Sequence, residues 1–394
     1  MISYQEAYKI VMSTQTSFVI EEVELLNSTG RVLAEDIKAD RDFPPFDRST
    51  KDGIAINSEG IKLNTPVYIE DVCAAGSPQK ILENPENCME IMTGAVLPVN
   101  TDAVVMYEDI EIEENLVRIS KMVSKGENIH KKGSDQKEGE IILKSPSEIK
   151  AKEIGILATV GKVKVKVRKL PRIAIISTGN ELVEVKENPQ PHQIRMSNSF
   201  SLKALLDKRK IQSEIIHIPD EVQILEEKIR HALENFDVLL LSGGVSKGKY
   251  DFLPEIFEKL KVEKLLHRVA QQPGKPFWFG ISRETKTHIF SFPGNPVSTF
   301  VNYHLYFRDW FLAGAGLQQK VEKVILKQAV ENSSNITKFL LVNVENSEGI
   351  LTAKLINGNG SGDLISLTKA TGVIEVNNNS KYPENQVFNY IHFD

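Results

Sequence analysis

Between Pro171 and Trp310 the chain alternates short, continuously apolar runs with amphipathic stretches, a pattern that commits it to a parallel sheet covered by helices on both faces. RIAIIST (172–178), EIIHI (214–218) and DVLLL (237–241) read as strands, being short, apolar and bounded by turn residues. Leu202, Leu205 and Leu206 recur at helical spacing behind a cap near Ser197 or Asn198. Val222, Leu225, Ile229 and Leu233 form the next helical stripe. A doubly wound sheet of this kind binds ligands beyond the carboxyl ends of its strands, so the loops found there are the first places to look for a site.

One such loop, SGGVSKGKYDF (242–252), follows the DVLLL strand. Its glycines, Gly243, Gly244 and Gly248, let backbone N–H groups converge on an anion, and Asp251 stands near enough in sequence to hold a divalent metal. Residues 243–249 also fit the P-loop pattern G-x-x-x-x-G-K, but Tyr250 follows where a P-loop needs a Ser or Thr hydroxyl on magnesium. A plain strand-to-helix turn that uses glycine is the other reading.

Three more stretches carry residue types suited to an anion. STGNEL (177–182) ends the first strand with Ser177, Thr178, Gly179 and Glu181. FSFPGNPVSTF (290–300) sets Pro293, Gly294 and Asn295 between a strand and a helix start, where backbone N–H groups are exposed. RVAQQPGKPFWFG (268–280) joins Arg268 to Lys275 through Pro273 and Gly274, so that two cations could reach one oxyanion from a rigid loop. Singly, each is also explained as a cap, a turn or a solvated basic pair.

The flanking regions differ in texture. The first 170 residues hold short β segments broken by DFPPFD, NTP, AAGSP and LPVN, which predicts a smaller, mostly β region. Helices are expected at Tyr4 to Ser13 and from Pro146 through Leu157, with Ser147 as its cap. In KVKVKVRKL, Val163, Val165 and Val167 alternate with lysines; this predicts a strand with a solvated outer face rather than a nucleic-acid patch. From Lys320 onward, KFLLVNV, ILTAKLI and GVIEV predict a small C-terminal β domain. Within the N-terminal β region, three loops are rich in chemistry-bearing residues: Asp47, Arg48, Lys51 and Asp52 in the first, Thr93 and Gly94 in the second, and His130, Lys131, Lys132 and Asp135 in the third.

At 394 residues the chain exceeds one ordinary core, and several domains are expected. The 48 basic and 53 acidic residues nearly balance at net −5, which supplies no general attraction for nucleic acid or an anionic membrane. Any anionic ligand must therefore be held locally. Cys73 and Cys88 are the only cysteines and lack C-x-x-C spacing, which argues against a disulfide scaffold or zinc site and fits a reducing, cytoplasmic setting. No apolar run approaches the roughly 18 residues of a membrane helix, and MISYQEAYKI has no signal-peptide core.

In order and wording the stretches resemble the molybdopterin molybdenumtransferase family, known as MoeA and as the E domain of gephyrin. The resemblance rests on SxKDGxA (49–55), MTGAxLP (92–98), GxDxxxGExxL (133–143), STGxEL (177–182), SNS (197–199), SGGVSxGxxD (242–251), PGKP (273–276), PGNPVS (293–298) and GSGDLIS (360–366), and spans nearly the whole chain. It implies a multidomain α/β and β fold. The expected parts are an elongated helical linker domain (1–19, 37–46 and 140–170), an inserted mostly-β domain (20–36 and 47–139), a central doubly wound α/β domain (171–318) and a C-terminal β domain (319–394).

The resemblance further implies a homodimer in which the α/β and C-terminal domains of one subunit form a cleft facing the β domain of the other. It implies conversion of adenylylated molybdopterin and molybdate to the molybdenum cofactor and AMP, with Mg2+. Carried over by motif, Asp220 and Asp251 would serve magnesium, while Asp52, Asp135, Glu181, Asp251, Arg268 and Lys275 would form the catalytic set. Thr93, Ser177, Thr178, Gly179, Asn198, Ser242, Gly243, Gly244, Ser246, Gly248, Pro273, Gly274, Pro293, Gly294, Asn295 and Ser361 would bind substrate. A molybdopterin adenylyltransferase and acceptor molybdoenzymes are the implied protein partners. The chain departs from the family pattern at Gln272, where a Lys is usual before Pro-Gly-Lys-Pro, at Ile54 and Asn180, and about Leu341, where a C-terminal arginine would fall. Two other readings stay open on sequence: a catalytically silent pterin-binding or scaffold homologue, and a molybdopterin adenylyltransferase, whose single domain would leave the flanks unexplained.

Overall fold

The computed structural model describes residues 1–121, 123–245, 252–318 and 321–393. Its centre is a six-stranded sheet in the order Ser213–Ile218, Ile173–Thr178, Val238–Ser242, His288–Phe292, Trp278–Ile281 and Glu263–His267. The first four strands run parallel, and Trp278–Ile281 is antiparallel to both of its neighbours. Because successive strand side chains point to opposite faces, each strand feeds two cores. Ile173, Ile175, Leu240, Phe290 and Phe292 pack on one side with the helices Asn198–Lys208, Pro296–Asn302 and Arg308–Gly314. Ala174, Ile176, Leu239, Leu241 and Ile289 pack on the other with Val222–Asn235 and Leu253–Lys259. The doubly wound layer expected for this stretch is thus present.

The N-terminal helix spans Tyr4–Ser13, held at its start by Ser3 and Glu6, each accepting from the other's backbone N–H. It was expected with the linker segments. Instead Ala7 and Val11 are buried in the first α/β core, and the Tyr4 ring meets Tyr306 and Phe339 edge-on.

Segment 20–36, expected with the mostly-β domain, also lies elsewhere. Ile20–Glu24 pairs antiparallel with Lys164–Arg168, and Val32–Leu33 lies between that strand and Ser147–Glu148. The reason is a shared core: Leu33, Ile149, Leu157, Val165 and Val167 are all buried together, with Val23 against them. Ser147 is therefore a strand residue and not a cap; the helix begins at Ala151, where the Glu153 carboxylate accepts the Lys150 N–H at 3.0 Å. Val165 and Val167 point inward as expected, whereas Val163 precedes the strand and is 70% exposed.

The mostly-β region is built on a six-stranded sheet running from Ala103–Met106 through Gly53–Ile56, Cys88–Ile91, Val67–Cys73 and Leu116–Ile119 to Ile110–Glu113. At the C-terminus, Thr337–Ser347, Ile350–Leu355, Glu322–Leu326, Gln386–His392 and Gly372–Val376 close into a barrel, because Thr337–Ser347 pairs with both the second and the last of these. Closure removes open edges and buries Val324, Val342, Ile374 and Phe388. Gln271–Gln272 adds alongside the start of Thr337–Ser347, tying the barrel to the α/β layer. Among the described residues no helix is long and apolar enough to cross a membrane.

Candidate functional site

Three adjacent parallel strands end side by side at Thr178, Ser242 and Phe292, and their loops converge. Asn198, the first residue of its helix, locks them: its Nδ2 donates to Ser242 Oγ at 2.8 Å and to the Gly294 carbonyl at 2.7 Å. The Gly243 N–H donates to the Phe292 carbonyl at 3.1 Å. Gly244 has φ +72°, and a Cβ there would lie 2.4 Å from Leu253 and 2.9 Å from Thr178 Oγ1, so no larger residue fits this turn. Ser177 meets Ser199 through their hydroxyls, and His217 Nε2 approaches the Gly179 carbonyl at 3.0 Å. The result is a narrow glycine shelf at the carboxyl edge of the sheet.

Beside the shelf lies a cavity of about 490 Å3 between the sheet edge and the barrel. Gln272, Lys275, Asn295, Lys338, Leu341 and Ser361 are among its lining residues. The loop carrying Lys275 rests on a buried polar network. Gln271 donates to Asn302 Oδ1 at 2.7 Å and to the Pro273 carbonyl at 3.0 Å, while the Tyr306 hydroxyl donates to Gln271 Oε1. Gly274 has φ +91°, and a Cβ there would lie 2.3 Å from Asn302. The opposing loop, GNGSGD, is folded by Asp363, which accepts from the Asn359 N–H at 3.0 Å and the Ser366 N–H at 3.2 Å; these bonds, the Asn359 one foremost, hold its carboxyl below the usual range. Asn295 Nδ2 then donates to Ser361 Oγ at 2.7 Å, and the Val297 N–H donates to the Ser361 carbonyl at 3.0 Å. The backbone N–H of Val297, expected to be open to an anion, is thus taken by the C-terminal domain.

Asp52, Thr93 and Asp135 gather on the mostly-β region. Asp52 Oδ1 accepts the Thr93 N–H at 2.6 Å and the Thr93 hydroxyl at 3.0 Å, and these two bonds lower its pKa, the backbone one most. His130 Nε2 lies 2.8 Å from Asp135 Oδ1, and Arg48 stands 3.2 Å from His130 Nδ1. Arg48–Ser49 and Ile129–His130 pair as short antiparallel strands, which brings the two loops together. This cluster and the α/β shelf stand on separate sheets of the chain.

The structure joins most residues singled out by sequence, but not all in one place. Ser177, Thr178, Gly179, Ser242, Gly243, Gly244, Asn198, Pro293 and Gly294 surround the shelf, with exposed Glu181 just beyond Gly179. Half-buried Asp220 follows the neighbouring strand, its N–H on Asn180 Oδ1 at 3.1 Å. Pro273, Gly274, Lys275, Asn295 and Ser361 line the cavity, whereas Arg268, the expected partner of Lys275, lies outside that lining. Hydrogen bonds from Arg268 N to Phe277 O and from Val269 N to Lys275 O shape the loop as a hairpin. Ser246, Gly248 and Asp251 fall outside the described residues. Lys338 was missed: in TKFLLVNV it looks like the solvated residue of an alternating strand. Among the described residues no cluster of three or more His, Cys, Asp or Glu could hold a metal.

Known proteins share this architecture. Residues 2–161 match the family described as "MoeA N-terminal region (domain I and II)", and residues 174–312 match "Probable molybdopterin binding domain". A molybdopterin molybdenumtransferase of Synechocystis sp. is 38% identical over 381 residues, covering 95% of each chain. One from Staphylococcus epidermidis is 31% identical over 95% of this chain and 91% of its own. The crystal structure of a molybdopterin biosynthesis MoeA protein from Pyrococcus horikosii superposes with a TM-score of 0.84 at 30% identity, covering 100% of this chain and 99% of that one. Fold and strand-end site together define a multidomain protein of the molybdopterin-handling class. Within it, the chain belongs to the molybdopterin molybdenumtransferase family.

Proposed function

We propose that the chain inserts molybdate into adenylylated molybdopterin, yielding the molybdenum cofactor and AMP. Family membership makes it a transferase of molybdenum cofactor biosynthesis. The observation that carries the finer reading is the adjacency of shelf and cavity through the consecutive residues Gly294 and Asn295. A phosphoanhydride needs glycine loops that let oxygens approach the backbone, and a tetrahedral dianion needs cations and a hydroxyl in a small cleft. The shelf supplies the first; Lys275, Lys338 and Ser361 supply the second.

Cleavage of the anhydride takes up one water and releases AMP, after which the two dithiolene thiols bond to molybdenum while an oxygen of the molybdate leaves as water with the two thiol protons. Lys275 and Lys338 would orient the oxyanion, and Asn198 would keep the three loops in register while the anhydride is held. Magnesium, when bound, neutralises phosphate charge. Asp220 and Asp251 are hard oxygen donors that fit an ion carried by one or two carboxylates together with substrate phosphates.

The Asp52 and Asp135 cluster joins the reaction in this reading through a cytoplasmic homodimer, each β region facing the partner's cleft. The chain would receive its substrate from a molybdopterin adenylyltransferase and pass its product to acceptor molybdoenzymes. Leu341 and Gln272 in the cavity favour a second reading, a silent pterin-binding homologue. The deciding assay is AMP release from adenylylated molybdopterin with magnesium and with molybdate, tungstate or neither. Release that depends on the oxyanion is expected; tight binding with no release under any condition would sink the transferase reading.

A further inference from the structure

A second cavity, of about 300 Å3, lies far from the strand-end loops in the fold, where the sheet holding Lys164–Arg168 meets the ends of the helices Asn198–Lys208 and Arg308–Gly314. Four cations, Arg31, Arg168, Lys208 and Arg209, share its lining with one carboxylate, Glu148. Glu148 already meets Lys150 at 3.2 Å. Arg31 is only 9% exposed; its guanidinium donates to Glu21 and to the Arg168 carbonyl, yet its buried Nε has no partner. Arg168 donates to the Phe18 carbonyl at 3.0 Å, and its buried Nε is likewise unpartnered. Both guanidinium side chains line the cavity, and a planar fork matches the oxygens of a phosphate. The remaining lining includes Val32, Leu170, Phe311, Leu312 and Leu317, an apolar wall suited to an organic body.

We propose that this cavity binds a small phosphate monoester, with its dianionic head on Arg31 and Arg168 and its organic part against Phe311 and Leu312. With Arg31 paired to Glu21 and Glu148 to Lys150, Arg168 and Lys208 contribute two further positive charges to the lining, which a dianion balances and a carboxylate does not. A ligand held there touches both the sheet built on Lys164–Arg168 and the helices of the α/β layer.

The test is calorimetric titration of the full-length protein with phenyl phosphate, and in parallel with benzoate. Saturable binding of phenyl phosphate below millimolar concentration is expected, weakened at least tenfold in Arg168→Met and several-fold in Lys208→Gln. Lys208 is exposed at a helix end, so its variant carries the test should Arg168→Met fail to fold. No saturable binding overturns the proposal. So does binding lost in Lys275→Met but kept in the two cavity variants, or benzoate binding as tightly as phenyl phosphate.

Discussion

Gln272 and Lys338 stand directly opposite one another where Gln271–Gln272 runs parallel to Thr337–Ser347, and both line the cavity that holds Lys275. Gln272 brings an amide to this ladder position and Lys338 a cation from the neighbouring strand, so the cavity holds a second lysine besides Lys275.

Lys338→Met should therefore raise the molybdate concentration needed for half-maximal AMP release by about tenfold, the size expected for one charge-assisted hydrogen bond of about 1.5–3 kcal/mol that is partly solvated. Gln272→Lys should lower it. Steady-state kinetics against molybdate check both; an unchanged half-saturation in Lys338→Met removes the lysine from the oxyanion site.

Asn198 joins two loops through a single amide. Asn198→Asp keeps the shape and removes both donors, so it should lower kcat/KM by at least tenfold and cost about 1–3 kcal/mol of stability. Asn198→Ala should behave alike. Activity and urea denaturation of the two variants provide the check, and full activity in Asn198→Asp would mean that the loops hold their register without it.

At Gly274 both the left-handed backbone and the nearby Asn302 side chain exclude a Cβ. Gly274→Ala should destabilise the protein by about 3 kcal/mol, combining backbone strain with disruption of the buried Gln271–Asn302 network. Denaturant unfolding reads this directly.

Asp52 has its pKa lowered by the Thr93 backbone N–H first and the Thr93 hydroxyl second. A depressed carboxylate stabilises the fold above its unfolded value of about 3.9, and that contribution is lost as pH falls through the lower folded value. The Thr93 amide resonance should therefore hold its position from neutral pH down to about pH 4 and move only below that. In Thr93→Ala the backbone bond survives, so the transition should shift upward but not reach the ordinary aspartate range.

Part of this protein was legible from local pattern alone. Ile173, Ile175, Ala174 and Ile176 alternate between two apolar cores, so the run that contains them had to be a strand covered on both sides. The turns after Thr178, Ser242 and Phe292 could be recognised because Gly, Pro and Asn mark a chain reversing direction. For Asn295 and Ser361 the same signals named each residue but could not say that they touch.

What only the tertiary structure decided are the relations across long stretches of chain. Ile20–Glu24 finds its partner at Lys164–Arg168, the N-terminal helix buries Ala7 and Val11 in the α/β core, and Lys338 turns from an apparent surface residue into a lining cation opposite Gln272. Local propensity carries no term for these pairings. An alternating strand specifies which of its faces is apolar but not which distant strand will cover it, and a lysine's role depends on the loop that the fold sets against it.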